Sequence, residues 1–231
     1  MQNLSKNQIL EAYSSQDNKP KPVLGDFFEK VELSQAEKVF ILSTFNRDAT
    51  GETHPVLDLS RQKLTSIPPE IAIVDGPKVA IEIDGKTISY REIDLSYNKA
   101  LTTLSKDDLK ILNNFSAIHL AGINIKELPL EVNLLTNPIV LNFSWSDLES
   151  LPDEIYELTQ LRSLRLNWTK IANFSEKISN LTNLADIEMS ETPFLSTLYR
   201  IREKGSATTD EERKVKKICQ ILDDIGCSIE E

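Results

Sequence analysis

Few residues of this chain have types and spacings suited to covalent or metal chemistry. Its 231 residues include two histidines, His54 and His119, and two cysteines, Cys219 and Cys227. Neither histidine has a cysteine or carboxylate at metal-ligand spacing, and no nucleophile is placed to use His119. No glycine-rich phosphate loop occurs among the seven glycines. We therefore expect no catalytic residue, no metal and no cofactor, and an enzyme with an unrecognised site is the weakest interpretation.

Recognition chemistry is better represented. Both tryptophans of the chain, Trp145 and Trp168, lie 23 residues apart, and Arg162 and Arg165 shortly precede the second. Exposed tryptophan and tyrosine beside polar neighbours are the residue types that dominate binding energy at interfaces. The elements that position these rings follow from the interval between them.

Four segments of the chain repeat at a fixed spacing of 23 residues: Phe115–Ile125, Pro138–Leu148, Leu161–Ile171 and Leu184–Phe194. Each contains a pair of apolar residues separated by one residue, and two earlier copies occur at irregular spacing: Leu57/Leu59, Ile93/Leu95, Ile118/Leu120, Leu141/Phe143, Leu164/Leu166 and Ile187/Met189. Such alternation is typical of a short strand with one buried face. Because no unit can bury its apolar face alone, the repeat predicts parallel strands stacked into one sheet.

Within each unit the pattern is L-x-x-L-x-L-x-x-N-x-L followed by L-P-x-x-I-x-x-L. This pattern resembles the leucine-rich repeat family in its 23-residue variety, and the Leu-Pro half is clearest at Leu128-Pro129, Leu151-Pro152 and Ile67-Pro68. The resemblance covers about residues 54 to 195. It implies an α/β solenoid with a curved parallel sheet on the concave side and short helices or turns on the convex side, with residues such as Ile71, Val132, Ile155 and Ile178 pointing inward.

The sequence departs from the family pattern in two places. The position usually held by asparagine is occupied by Gln62, Asn98, Ile123, Ser146, Thr169 and Thr192. Isoleucine can form none of the hydrogen bonds of that asparagine, so we expect a local irregularity near Gly122-Ile123. The gap of 36 residues between Leu57 and Ile93 contains two alternating runs around Asp84-Gly85, which predict a β-hairpin insertion near residues 76–90. A functional insertion and a tolerated one remain equally open.

Both ends of the chain have helical patterns. Residues 1–50 are expected to form an N-terminal helical cap, with a capping-box pattern at Ser34 to Glu37. Residues 51–195 form the solenoid, and residues 196–231 a C-terminal helical cap that begins with a second capping-box pattern at Thr209 to Glu212. A disulfide between Cys219 and Cys227 is not expected, because it would have to bridge a helix end at Gly226.

Composition limits the classes of partner. The net charge is −10, with 36 acidic against 26 basic residues, which argues against nucleic acid and against anionic membrane surfaces. The apolar stretches are too short to span a bilayer. The first residues lack the pattern of a secretory signal, and two cysteines suit a reducing compartment. We therefore expect a cytoplasmic protein, with secretion into a host cytosol without a cleavable signal as the alternative.

The strand positions that face away from the core form columns across the predicted sheet. The first column is Asp58, Asp94, His119, Asn142, Arg165 and Glu188; the second is Ser60, Ser96, Ala121, Ser144, Asn167 and Ser190; the third is Arg61, Tyr97, Gly122, Trp145, Trp168 and Glu191. Neighbouring strands lie about 4.8 Å apart, so Trp145 and Trp168 should be in contact and form an aromatic shelf. The alternative is that the two rings stack on each other and on the following loop and only close the margin of the core.

Charges on the same face are sorted along it. Arg162 and Arg165 are expected to form a basic spot beside Trp168, between an acidic first end and an acidic far end that includes Glu188. A partner with apolar side chains and an acidic group would fit this arrangement. The alternative is internal pairing, for example of Arg165 with Glu188 on adjacent strands.

These observations predict a non-enzymatic module that binds a protein or peptide on the concave face of the repeat sheet. The expected contact residues are Tyr97, His119, Asn142, Trp145, Arg162, Arg165, Trp168 and Glu188. We expect a monomer. The alternative role is that of a bacterial effector delivered into host cells, where it would bind a host protein.

Overall fold

The computed structural model describes residues 56–67, 79–83, 86–90 and 92–230. The predicted N-terminal cap over residues 1–50, the inward-pointing Ile71 and the Asp84-Gly85 turn lie outside the described residues.

Seven short parallel strands form the main sheet. Its strands are β1 (Val56–Asp58), β4 (Glu92–Asp94), β5 (Ala117–His119), β6 (Val140–Asn142), β7 (Ser163–Arg165), β8 (Asp186–Glu188) and β9 (Ser228–Glu230), and the spatial order is the chain order. The central residues of strands β4 to β8 are aligned and fully buried: Ile93, Ile118, Leu141, Leu164 and Ile187. The parallel stacking predicted from the 23-residue period is therefore confirmed.

Strands β2 (Val79–Ile83) and β3 (Lys86–Tyr90) form a separate antiparallel ladder. Ile83 and Lys86 are the last paired residues, on either side of the two-residue connection. This ladder lies between β1 and β4 in the chain, where the sequence interrupts the regular period.

The return halves of the units are helical turns. They are α1 (Lys106–Leu112) and the 3-10 helices η1 (Leu130–Leu134), η2 (Asp153–Glu157) and η3 (Glu176–Asn180). Pro129 and Pro152 directly precede η1 and η2, where their missing N–H groups leave no hydrogen bond unmade. Val132, Ile155 and Ile178 are buried, as the inward-facing pattern predicts.

Two longer helices follow the last regular repeat. Helix α2 (Pro193–Lys204) begins at an N-cap threonine, Thr192, and α3 (Asp210–Asp224) begins at Thr209 with the predicted capping box to Glu212. The Glu212 carboxylate accepts hydrogen bonds from Lys204 Nζ and from the backbone N–H groups of Thr208 and Thr209, which hold its pKa well below the usual range. These contacts fix the short connection between α2 and α3.

Strand β9 was not predicted. After α3 the chain returns to the sheet, and Ile229 of β9 lies beside Ile187 of β8 in parallel register. The whole is an α/β leucine-rich repeat solenoid, with a parallel sheet on one side and short helices and turns on the other. None of the helices in the described part of the chain is long and apolar enough to cross a bilayer.

Candidate partner-binding surface

A row of residues in the left-handed backbone conformation follows the strands. Its six members, here called the rim row, have φ angles between 57° and 67°: Arg61, Tyr97, Gly122, Trp145, Trp168 and Glu191. Each lies three residues after the last residue of its strand. Only one of them is glycine, although side chains other than glycine rarely adopt this conformation.

Backbone hydrogen bonds between neighbouring units hold the rim row in place. The N–H of Trp145 donates to the Asn167 carbonyl at 2.7 Å, and the N–H of Trp168 donates to the Ser190 carbonyl at 2.8 Å. Equivalent bonds join Arg61 to the Ser96 carbonyl, Tyr97 to that of Ala121, and Gly122 to that of Ser144. The ladder of the sheet thus continues past the strands and offsets the cost of the left-handed turns.

Trp145 and Trp168 stack on each other. Their ring centroids are 4.6 Å apart and the rings are inclined by 9°. Both expectations for this pair hold in part, because the rings are in contact but remain 55% and 48% exposed. The two tryptophans therefore do not close the margin of the core, and most of the edge of the stack faces solvent.

Tyr97 occupies the rim row two units before Trp145. The guanidinium of Arg61 lies 4.7 Å from its ring centroid, in a cation–π contact, and the ring is 42% exposed. The ring also lies over Gly122, where an added Cβ would be 2.6 Å from Tyr97 Cδ1. Gly122 therefore leaves the space that the tyrosine ring uses.

The buried Asn98 side chain ties the turn to the preceding unit. Its Oδ1 accepts hydrogen bonds from the N–H groups of Gln62 and Leu64, and its Nδ2 donates to the carbonyls of Leu59 and Leu95. At the equivalent positions Thr169 Oγ1 donates to the Leu166 carbonyl and Thr192 Oγ1 to the Met189 carbonyl, each at 2.7 Å. Threonine thus keeps one of the four hydrogen bonds. The Ser146 hydroxyl is buried and has no hydrogen-bond partner among the described residues.

The expected irregularity near Gly122-Ile123 is wrong. Strand β5 keeps its register with both neighbours, and Gly122 has the same conformation and the same backbone hydrogen bond as the rest of the rim row. Ile123 is buried in the core. The inter-unit ladder maintains the turn here without a polar side chain, and the apolar side chain gains burial instead.

Arg165 and Glu188 form an ion pair across strands β7 and β8. Arg165 Nε lies 2.8 Å from Glu188 Oε1, although the N–H is not aligned for a hydrogen bond to it. The other Glu188 oxygen accepts a hydrogen bond from Asn167 Nδ2 at 2.7 Å, and Asn167 Oδ1 accepts one from the Ser190 N–H at 2.7 Å. The structure therefore has the internal pairing that the sequence left as an alternative, and Arg165 is largely neutralised.

Arg162 does not lie beside Trp168, contrary to the expected basic spot. It precedes the first residue of β7, whereas Trp168 follows the last, so the two residues lie at opposite ends of the strand. Its exposed position results from the start of the strand at Ser163, and its N–H donates to the Ile139 carbonyl.

His119 and Asn142 lie next to each other in the middle of the sheet, at paired positions of β5 and β6. His119 Nε2 is 3.5 Å from Glu92 Oε2, and Asn142 Oδ1 accepts a hydrogen bond from the Ser144 N–H at 3.0 Å. Both side chains are half-buried and partly committed to neighbours. They can line a binding surface, but the structure places them away from the tryptophan stack, toward the middle of the strands.

The two cysteines are both free thiols, as expected. Burial raises the pKa of Cys219 to about 11 and that of Cys227 to about 12. Within the described ranges, no three His, Cys, Asp or Glu side chains are grouped in a way that could hold a metal ion. A thiol with a raised pKa is a poor nucleophile, because the thiolate is the reactive form.

Two rim-row residues were absent from the predicted contact set. Arg61 and Glu191 stand in the same column as Tyr97 and the two tryptophans, and both are exposed. Their place in the column was the available signal. Glu230 of β9 adds a further carboxylate beside Glu188, and no repeat pattern marks it.

No family model and no curated protein match this chain. Solved structures similar to it include a leucine-rich repeat protein of Leptospira interrogans, with 22% identity, a TM-score of 0.43 and a match over 62% of this chain. The functional domain of InlJ from Listeria monocytogenes matches over 45% of this chain with 17% identity and a TM-score of 0.32. The leucine-rich repeat domain of the type III effector XopL matches over 84% with 15% identity and a TM-score of 0.36. This chain spans 36%, 26% and 66% of the lengths of those three chains.

Proposed function

We propose that this protein is a non-enzymatic interaction module that binds a protein or peptide on the concave face of its repeat sheet. The contact is centred on Trp145 and Trp168 at the rim of that face. The observation that carries the proposal is the stack itself, two large rings that cover each other yet remain about half exposed. Large apolar rings in solvent need a reason, and an interface supplies one.

The stack is suited to binding because it is already ordered. Each tryptophan backbone is held by an inter-unit hydrogen bond, and each ring is held by the other. A partner that covers the rings therefore gains apolar contact without immobilising flexible side chains, which is a large part of the usual cost of binding. The second column supports access, because Ser96 and Ser144 are small and leave the sides of the rings uncovered.

The surrounding polar residues supply specificity. Tyr97, His119 and Asn142 lie toward the first end of the sheet, and Arg165 with Glu188 lies beside the stack. Because Arg165 is paired with Glu188, an acidic group of the partner would have to compete with an existing ion pair. Arg162 lies at the far end of β7 and serves at most the periphery of a larger partner. The same surface would serve a resident protein or one delivered into a host cell.

Affinity purification tests this function directly. Wild-type protein is compared with the Trp145→Ala/Trp168→Ala double variant as bait, at equal loading and with verified folding by circular dichroism. Leu130→Ala is the matched control, since Leu130 is a large apolar residue, 65% exposed, at the start of η1 on the opposite side of the repeat. Partners retained by wild type and by Leu130→Ala but lost by the double variant support the proposal. Identical partners for all three baits would refute it.

A further inference from the structure

The rim row has a chemical order from one end to the other. Arg61 stands at the first end, the aromatic residues Tyr97, Trp145 and Trp168 in the middle, and Glu191 at the far end. We propose that this row binds one extended peptide segment that crosses the strands. The segment has an acidic residue opposite Arg61, proline or aromatic residues against the rings, and a basic residue opposite Glu191. The inference rests on the proposed function and adds the class and order of the partner's residues.

The length of the row sets the length of the segment. Its six members follow six neighbouring strands, β1 and β4 to β8, so five strand intervals separate Arg61 from Glu191. At about 4.8 Å an interval the row is about 24 Å long. An extended chain of about seven residues spans that distance. A segment of this size, with a charge at each end and apolar residues between them, matches the row in length as well as in chemistry.

Arg61 is the charge available within the row at the first end. Its guanidinium is held by the Tyr97 ring at 4.7 Å, so it is positioned before a carboxylate arrives. Two carboxylates of β4 lie on the same side of the sheet, but both have partners. Asp94 Oδ1 accepts the Ser96 N–H at 2.8 Å, and Glu92 lies 3.5 Å from His119. Both precede the rim row along the chain.

The far end is anionic for a complementary reason. Arg165 neutralises Glu188, and Asp186 Oδ1 accepts a hydrogen bond from Ser163 Oγ at 2.7 Å. Glu191 is exposed in the rim row, and Glu230 on the neighbouring β9 adds a second carboxylate nearby. A basic residue of the segment would meet unneutralised charge here.

The middle of the row offers ring faces as well as edges. Trp168 covers the face of Trp145 that points toward β7. The other face of Trp145 points toward β5, where the rim residue is Gly122 and carries no side chain. Proline and aromatic side chains pack on ring faces of this kind, and a proline-containing segment is already extended before it binds.

Three capped ten-residue peptides without tryptophan test the order of charges. They share a proline-rich apolar centre and carry glutamate at one end and lysine at the other, glutamate at both ends, or lysine at both ends. Because both tryptophans of the chain lie in the rim row, intrinsic fluorescence in about 150 mM salt reports binding at this site. We expect the mixed peptide to bind wild-type protein at least about threefold more tightly than either uniform peptide.

Charge reversals make the test specific to the two ends. Arg61→Glu should shift the preference to the peptide with lysine at both ends, and Glu191→Arg to the peptide with glutamate at both ends. The matched controls are Lys126→Glu and Glu127→Arg, exposed residues in the loop before η1, which change the net charge equally. These controls should keep the wild-type preference, because a general charge effect would move them as well.

The outcomes separate this inference from the proposed function. If all three peptides bind wild type and both reversal variants equally, and Trp145→Ala weakens all of them, the order of charges is wrong and the aromatic contact stands. If no peptide binds at millimolar concentration, the row is not a site for an extended segment, and the purification experiment alone decides the function. If the peptides bind equally well to Trp145→Ala and wild type, both proposals fail.

Discussion

Trp145 and Trp168 lie 23 residues apart in the chain and 4.6 Å apart in space, with their rings nearly parallel. Their backbones have the same left-handed conformation, with φ angles of 62° and 58°. Equivalent positions in successive units present equivalent side chains at the spacing of neighbouring strands, which is close to the stacking distance of two aromatic rings. The repeat itself therefore builds the stack, and no further contact is needed to orient it.

The stack should be visible in solution by circular dichroism. Two indoles in van der Waals contact couple their electronic transitions, so we expect wild-type protein to show a tryptophan exciton couplet that is absent from both Trp145→Ala and Trp168→Ala. Since the rings are half exposed, each substitution should cost only about 0.5–1.5 kcal/mol of unfolding free energy. Trp168→Phe is the control, because it keeps an aromatic contact but removes the indole pair. A couplet that survives in a single variant would show that the rings do not stack.

Asn98 should be the most sensitive polar position of the described repeats. Asn98→Ala removes four hydrogen bonds to buried or half-buried backbone groups, and we expect a loss of roughly 3 kcal/mol in urea unfolding. Thr169→Val removes one such bond and should cost about 1 kcal/mol. Equal losses for the two variants would contradict the different roles that the structure gives them.

Gly122→Ala separates backbone strain from contact with Tyr97. The substitution places a Cβ in a left-handed residue and 2.6 Å from Tyr97 Cδ1, so we expect a loss of about 2 kcal/mol in unfolding free energy. In a Tyr97→Ala background the same substitution should cost only about 1 kcal/mol, because the clash is gone.

Gly205→Ala provides the matched comparison for Gly122. Its φ is also left-handed, at 72°, but an added Cβ meets no atom within 4 Å. It should cost about 1 kcal/mol, for the backbone alone. Additive losses in the Gly122/Tyr97 double variant would mean that the tyrosine ring does not depend on the glycine.

Both thiols should react slowly in the folded protein. Burial raises the pKa of Cys227 to about 12 and that of Cys219 to about 11, from an ordinary value of 9.0. At pH 8 the thiolate fraction is therefore small, and alkylation by iodoacetamide should be much slower than in urea-unfolded protein, most of all at buried Cys227. Rapid modification of the native protein at pH 8 would contradict this burial.

The same pKa shifts predict a loss of stability at alkaline pH. The folded-state pKa values lie above the unfolded ones, so the contribution of the thiols is complete below pH 9 and is lost as the pH rises through about 11 and 12. A Cys219→Ala/Cys227→Ala variant should lose less unfolding free energy between pH 8.5 and 10.5 than wild type. Equal losses would assign the alkaline effect to other groups.

The period of the sequence was sufficient to predict the sheet. Residue spacing alone aligned Asn142 with Arg165 and Arg165 with Glu188, and the structure has both pairs in register. It also brought Trp145 and Trp168 together. Side-chain columns follow from the repeat length whenever each unit contributes one strand in the same register.

Other features depend on information that the period does not contain. Tyrosine and tryptophan give no signal of a positive φ, so the left-handed turns of the rim row become visible only with the inter-unit hydrogen bonds. Ile123 suggested a defect because asparagine was assumed to be necessary at that position. Strand β9 follows two helices and has three residues, which is too short for an alternating pattern to be recognised. Arg162 was placed near Trp168 by proximity in the chain, although six strand positions carry it to the other end.

The most direct test of the proposed function is the dissociation constant of a partner recovered by wild-type protein. It should be measured by isothermal titration calorimetry against wild type, Trp168→Ala and the Leu130→Ala control. We expect Trp168→Ala to weaken binding by at least about 1 kcal/mol, roughly fivefold or more, while Leu130→Ala leaves it unchanged. An affinity for folded Trp168→Ala equal to that of wild type would contradict a binding surface centred on the tryptophan stack.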